Sequence, residues 1–251
     1  MPAERAIHMK KNDNDRTRKV KNMAKEDGKI ELVRKIDLFA RLTTDELRAI
    51  RDKIVIKNFK KNEIILHEEN TSEFMYMILD GEAKVVQTTD AGKEIIITMH
   101  KTGDFFGELS LIDGKTAPAA VHATRNSVTA IISKEDFFAL LLGQNKVLHN
   151  LLNILCTRLR ECIKKIQMLN FNNAAQRMKV LFLILAESHG EKTEAGTILK
   201  IKLIHQNIAD MTGLTRETVT RVLDKWRKGG EIKILKDKYI LLTHEFESIV
   251  F

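Results

Sequence analysis

Ile204-His205-Gln206-Asn207-Ile208-Ala209-Asp210-Met211-Thr212-Gly213-Leu214-Thr215-Arg216-Glu217-Thr218-Val219-Thr220-Arg221-Val222-Leu223 reads as two short amphipathic helices joined by a glycine-centred turn. That is the pattern of a helix-turn-helix. Small Ala209 lets the two helices approach, and Gly213 is suited to the left-handed conformation that ends the first of them. Ile208, Leu214, Val219 and Val222 or Leu223 are expected to bury the shared face. Thr215 is placed to cap the second helix, and Glu217 in its first turn suits the positive end of the helix dipole. Arg216, Glu217, Thr220 and Arg221 then face outward. Arginine pairs bidentately with guanine in the major groove and glutamate accepts from the cytosine amino group, so this face suits base reading. An ordinary surface helix with a Glu217 to Arg221 link four residues apart is the alternative for the same residues.

Working outward, a chain of 251 residues is long enough for about two domains. Its formal charge of +8 fits a polyanionic partner without specifying a site. Cys156 and Cys162 are the only cysteines, six apart in a helical pattern, which excludes a disulfide framework and an iron-sulfur ligand set. No apolar run approaches the roughly 20 residues needed to span a bilayer, and the N-terminus lacks a signal-peptide core. The expectation is a protein of the reducing cytoplasm with no membrane partner and no metal.

Four segments are expected. Residues 1–30 carry Lys10, Lys11, Arg16, Arg18, Lys19 and Lys21 among few apolar side chains, too few to offset ordering entropy, and read as a basic, mobile arm. Residues 31–135 begin with a helical region from Ile36 to Ile56, where Thr43-Thr44-Asp45-Glu46 marks a capped start. Short β-type runs follow: Glu63 to Leu66, Phe74 to Leu79, Ala83 to Gln87, Glu94 to Met99 and Ser127 to Ile132. Turn signals such as Asp80-Gly81 and Asp113-Gly114 punctuate them, predicting an antiparallel β-roll. Residues 136–171 belong to one long helix running from near Lys134 to about Asn170. Leu148, Leu152, Leu155, Leu159, Cys162, Ile166 and Leu169 recur on it at alternating steps of four and three, a heptad seam for pairing two chains. Residues 172–251 hold a further helix over 174–187, a strand from Thr197 to Leu203, the helix-turn-helix, and a hairpin of Glu231 to Leu235 with Tyr239 to Leu242. That hairpin makes the last segment a winged helix-turn-helix, and Lys225, Arg227, Lys228, Lys236 and Lys238 are placed to meet phosphates. The fold class is therefore α+β: an antiparallel roll, a long dimerisation helix and a winged helix.

This order of elements, with Leu38-Phe39, Gly81-Glu82 and Gly107-Glu108-Leu109-Ser110-Leu111-Ile112-Asp113-Gly114, closely resembles the bacterial Crp/Fnr family of transcription regulators from about Leu38 to Leu242. The resemblance implies a roll of the cyclic nucleotide-binding type and identifies the 107–114 stretch with its phosphate-binding cassette. A Gly-Glu turn opening a short helix offers backbone N–H groups to an anion. Gly107, Glu108, Leu109, Ser110, Ala117 and Pro118 would then surround an effector. Nucleotide-binding members follow the cassette with Arg-Ser, where this chain has Ala117-Pro118, so cyclic AMP in the usual pose would lack its charge partner and a donor. Lys115 and Thr116 lie close in sequence but read as a solvated turn. Haem would need an axial ligand among His67, His100, His122 or His149, each at an unremarkable position.

These readings predict a homodimeric, sequence-specific DNA-binding transcription regulator controlled by an unidentified small molecule in the roll. It is not an enzyme. Its partners are double-stranded DNA with a pseudo-palindromic operator and, by resemblance, RNA polymerase. Arg216, Glu217, Thr220, Arg221, Thr215 and Lys225 are the expected DNA contacts; Leu148, Leu152, Leu155, Leu159, Cys162 and Ile166 are the expected dimer seam. A cyclic nucleotide-responsive activator with a modified pocket, or a ligand-binding dimer whose winged domain contacts protein, are the competing readings.

Overall fold

The alternating apolar runs form two four-stranded antiparallel sheets in the computed structural model, which describes residues 26–70, 73–90, 92–235 and 238–248. The strands are β1 (Val55–Phe59), β2 (Ile64–Leu66), β3 (Phe74–Asp80), β4 (Glu82–Thr88), β5 (Glu94–Lys101), β6 (Phe105–Phe106), β7 (Ala120–Ala123) and β8 (Ser127–Ser133). They order as β1-β8-β3-β6 and β2-β7-β4-β5. Phe59, Ile78 and Phe106 from the first sheet pack with Ile65, Leu66, Ala83, Val121 and Ala123 from the second, so the core lies between the sheets. Strand β1 corrects the expected helix through Ile56. The helix α2 (Thr44–Arg51) ends earlier, and β-branched Val55 and Ile56 pair with Ile131 and Ala130 of β8. Between β6 and β7 lies α3 (Glu108–Asp113).

Among the described residues two further helical elements precede α2: α1 (Glu26–Val33) and a 3-10 turn at Asp37–Phe39. Because Ile30, Leu32 and Val33 are buried, the end of the expected arm is folded; residues 1–25 lie outside the described residues. Thr43 caps α2 with a reciprocal pair of bonds, its hydroxyl accepting from the Glu46 N–H and its own N–H donating to the Glu46 carboxylate.

The expected single helix from Lys134 is two helices, α4 (Lys134–Gly143) and α5 (Asn145–Leu169). Gln144 between them takes φ −138° and ψ 89°, which no helix tolerates, and Gly143 offers the least resistance to such a break. At its start α5 is anchored by buried Val147 and Leu151, by Asn150 donating to the Leu38 carbonyl at 3.2 Å, and by Lys146 on Glu46 at 2.9 Å.

The chain divides into two compact units, one built mainly from residues up to Ile154 and one mainly from Leu155 onward. In the second unit, α6 (Ala174–His189) leads to the hairpin β9 (Gly190–Thr193) and β10 (Gly196–Leu199). Next come α7 (His205–Thr212), α8 (Arg216–Gly229), β11 (Ile232–Ile234), β12 (Ile240–Leu242) and α9 (His244–Ser248). The sheet order is β11-β12-β10-β9. Strand β10 stops short of the expected Leu203, because Lys200 leaves the ladder and donates its N–H to the His189 carbonyl. Phe182, Trp226 and Phe246 form the aromatic centre, with Trp226 edge-on to both neighbours at 5.7 and 5.2 Å.

Candidate nucleic-acid interface and sensor cassette

Helix α8 takes its orientation from its buried side. Val219, Leu223 and Trp226 are at most 4% exposed, and α7 supplies Ile208 and Ala209 beneath them. The turn between the helices is fixed at three points. Gly213 sits at φ +69° and donates to the Ala209 carbonyl. The Thr215 hydroxyl accepts from Thr218 N–H and so caps α8. Arg177 of α6 bonds the Phe171 carbonyl through Nε at 2.6 Å and the Thr212 carbonyl through Nη1 at 3.3 Å, placing a cation at the negative end of α7. Nothing in the local sequence marks Arg177 for this role, since its contact with Thr212 crosses 35 residues.

Opposite that buried side, Arg216, Glu217, Thr220, Arg221, Asp224, Lys225 and Lys228 line one open groove. Their spacing of one, three and four residues is a single helix face. Arg216, Glu217, Arg221, Lys225 and Lys228 are exposed. Arg221 donates to the Thr218 hydroxyl at 3.3 Å, and among the described residues no ion pair joins it to Glu217. Asp224, missed in the sequence, pairs with Arg227 at 3.1 Å and draws that guanidinium toward the helix. Gly230, at φ +80°, ends α8. Strands β11 and β12 pair as the wing, with Lys238 exposed at its turn; Lys236 lies outside the described residues.

In the roll, Gly107 opens α3 with φ +87°, and a Cβ there would stand 3.0 Å from the Phe74 carbonyl. Glu108 and Ser110 turn inward, at 3% and 4% exposure, whereas Leu109 is half exposed. The Ser110 hydroxyl has no hydrogen-bond partner among the described residues, the condition of an atom that a ligand satisfies. Ala117 is buried in the apolar cluster with Phe59, Ile65, Leu66, Ile78 and Phe106. Its N–H already donates to the Asn70 carbonyl at 3.0 Å, and its carbonyl accepts from Glu69. Pro118 is exposed and has no N–H, while Lys115 and Thr116 are exposed on the preceding turn. These residues do not fit a cyclic phosphate held in the usual clamp. Tyr76 stacks on Phe106 at 5.4 Å, and burial pushes its phenol above the ordinary range.

The four histidines weighed for haem are separately placed. His100 stacks on Phe106 and faces Asp104 at 3.5 Å, and His149 contacts Asn153. His67 is exposed, and His122 is paired within β7. No group of three or more His, Cys, Asp or Glu among the described residues is arranged to hold a metal ion, and no helix there is long and apolar enough to cross a membrane. Along α5 the heptad positions Leu148, Leu152, Leu159, Ile166 and Leu169 are 39 to 63% exposed, with Cys162 exposed among them and Leu155 half-buried.

Two family models match the chain, a cyclic nucleotide-binding domain over residues 56–144 and a Crp-like helix-turn-helix domain over residues 176–245. A global nitrogen regulator of Nostoc sp. is 30% identical over 186 residues, covering 73% of this chain and 83% of that protein. A cyclic AMP receptor protein of Thermus thermophilus is 26% identical over 197 residues, 78% of this chain and 88% of that one. Among solved structures, a CooA mutant from Carboxydothermus hydrogenoformans shares the fold with a TM-score of 0.67 at 20% identity, over 78% of this chain and 87% of that one.

Proposed function

This chain belongs to the Crp/Fnr family of transcription regulators, and on that premise we propose that it works as a homodimer reading a pseudo-palindromic operator under control of a small molecule in the roll. Members of the family are DNA-binding regulators, not enzymes. The observation that carries the reading is the single exposed face of α8 on which Arg216, Glu217, Thr220, Arg221, Lys225 and Lys228 meet. Arg216, Glu217 and Arg221 read base edges, and Lys225 and Lys228 hold phosphates. By family resemblance the half-site is related to TGTGA. Two copies pair through the exposed leucine stripe of α5, which places two recognition helices about one DNA turn apart. Effector binding shifts the population between two arrangements of that pairing and so sets operator affinity. Bound to its operator in the cytoplasm, such a dimer addresses RNA polymerase.

The effector is not cyclic AMP in the usual pose. Ala117 offers neither charge nor a free N–H, and an anion beside buried Glu108 would be uncompensated, at a cost of several kcal/mol. Of the named relatives one is called a cyclic AMP receptor and another a global nitrogen regulator, so likeness to them does not by itself make cyclic AMP the effector of this chain. The unpartnered Ser110 hydroxyl favours a ligand with a polar group.

The test separates base reading from charge. Arg216→Ala is expected to weaken operator binding by about 1–3 kcal/mol and relax preference at one base pair, while Lys225→Ala weakens all sequences about equally and reduces the salt slope by about one. Salt-dependent gel shifts on operator and random duplexes read both effects. Equal losses on both DNAs for both variants would refute the assignment, and absence of any DNA shift would favour a winged unit that contacts protein.

A further inference from the structure

Thr220 lies in the middle of the reading face, between Arg216 and Glu217 on one side and Arg221 on the other, yet its hydroxyl is occupied within the protein. Oγ1 donates to the Arg216 carbonyl at 2.9 Å, one helical turn back. His205, the first residue of α7, places Nδ1 2.8 Å from the same oxygen. A hydroxyl has one proton. Since that proton is given to Arg216, both contacts are hydrogen bonds only if the imidazole donates from Nδ1–H. Thr220 therefore has no proton left for guanine N7 or O6, adenine N7 or thymine O4. Apart from one acceptor lone pair, for which guanine and thymine present no donor in the major groove, what the side chain has left for the groove is its Cγ2 methyl, an apolar spot inside an otherwise charged stripe.

We propose that Thr220 reads a thymine of the half-site through contact of Cγ2 with the base 5-methyl group, and that His205 is the positioning residue that holds the hydroxyl away from the DNA. Threonine methyl on thymine methyl is one of the apolar contacts the major groove affords. The two-bond clamp fixes the rotamer before DNA arrives, so no side-chain freedom is lost on docking. This inference rests on the reading that α8 enters the major groove.

The experiment uses the full chain and an operator recovered by selection from random duplexes, with each thymine replaced singly by deoxyuridine, which lacks only the 5-methyl. One thymine per half-site is expected to lose about fourfold affinity on replacement, the worth of one buried methyl. T220S, which keeps the hydroxyl and its partners, should bind thymine and uracil equally at that position. T220V should keep the preference. H205F should narrow the ratio and H205N, whose amide donates from a similar place, should restore it. Each ratio compares one protein on two DNAs, so partial unfolding of a variant cancels. An operator with no uracil-sensitive position, or an undiminished thymine preference in T220S, overturns the inference while leaving the reading of Arg216 and Arg221 intact. Failure to recover any motif removes the reading itself and the inference with it.

Discussion

Ala117 has its side chain in the apolar cluster of the roll and its N–H on Asn70, so the position that the family resemblance matches to the phosphate-binding arginine offers neither charge nor a free donor. Calorimetric titration of the protein with cyclic AMP is expected to show no heat of binding at micromolar ligand; a tight isotherm would mean another group neutralises the phosphate. Lys179 on α6 makes a second residue-scale case. It is 3% exposed and lies 5.1 Å from the Phe246 ring centre. Burial pulls its ammonium below the ordinary lysine range, against the opposing pull of Glu231. Between the lowered folded value and the unfolded one, the unfolded chain binds more protons, so this residue's contribution to stability rises with pH across that window. Lys179→Met, which keeps the stem and removes the charge, is expected to raise the urea midpoint at neutral pH by an amount that shrinks toward alkaline pH. Fluorescence of Trp226, the chain's one tryptophan, reports the transition; a pH-independent difference would contradict the cause. Local chemistry made some residues readable in advance: the Thr215 cap, the Gly213 turn and the outward Arg216, Glu217 and Arg221 all follow from spacing. The links from His205 to Thr220 and from Arg177 to Thr212 join residues 15 and 35 apart, and no periodicity announces them.

At the scale of elements, α5 carries the clearest unpartnered surface, with Leu159 and Ile166 both 63% exposed on one heptad seam. A parallel pair along that seam brings the two Cys162 residues face to face within the Cα separation of a disulfide, whereas Cys156 lies off it. Mild copper-phenanthroline oxidation is expected to give a covalent dimer that Cys162→Ser abolishes and Cys156→Ser leaves intact. Cross-linking through Cys156 instead, or a monomer by light scattering, would refute the seam. The break at Gln144 was hidden in the sequence because apolar residues run through Leu140, Leu141 and Leu142 without a gap, and only backbone dihedrals show that the helix ends. Strands β6 and β7 were hidden for a different reason. Phe105–Phe106 is too short for alternation, and Ala120–Ala123 has alanines where strand propensity is low. Pairing to β3 and β4 supplies what propensity does not.

At the scale of the whole molecule, the proposed reading has a formal charge of +8 supply general attraction to DNA and leaves specificity to one face of α8 used twice. The order of roll, long helix and winged unit was legible because each segment has its own hydrophobic period; what binds in the roll was not, because that depends on departures such as Ala117-Pro118 and not on pattern. Selection of bound duplexes from a random DNA pool by the full chain bears on all of this at once. The account predicts a pseudo-palindrome whose half-sites have centres about 34–36 Å apart, with a guanine position in each that Arg216→Ala relaxes. Enrichment of no motif, or of a single unrepeated half-site, would contradict it.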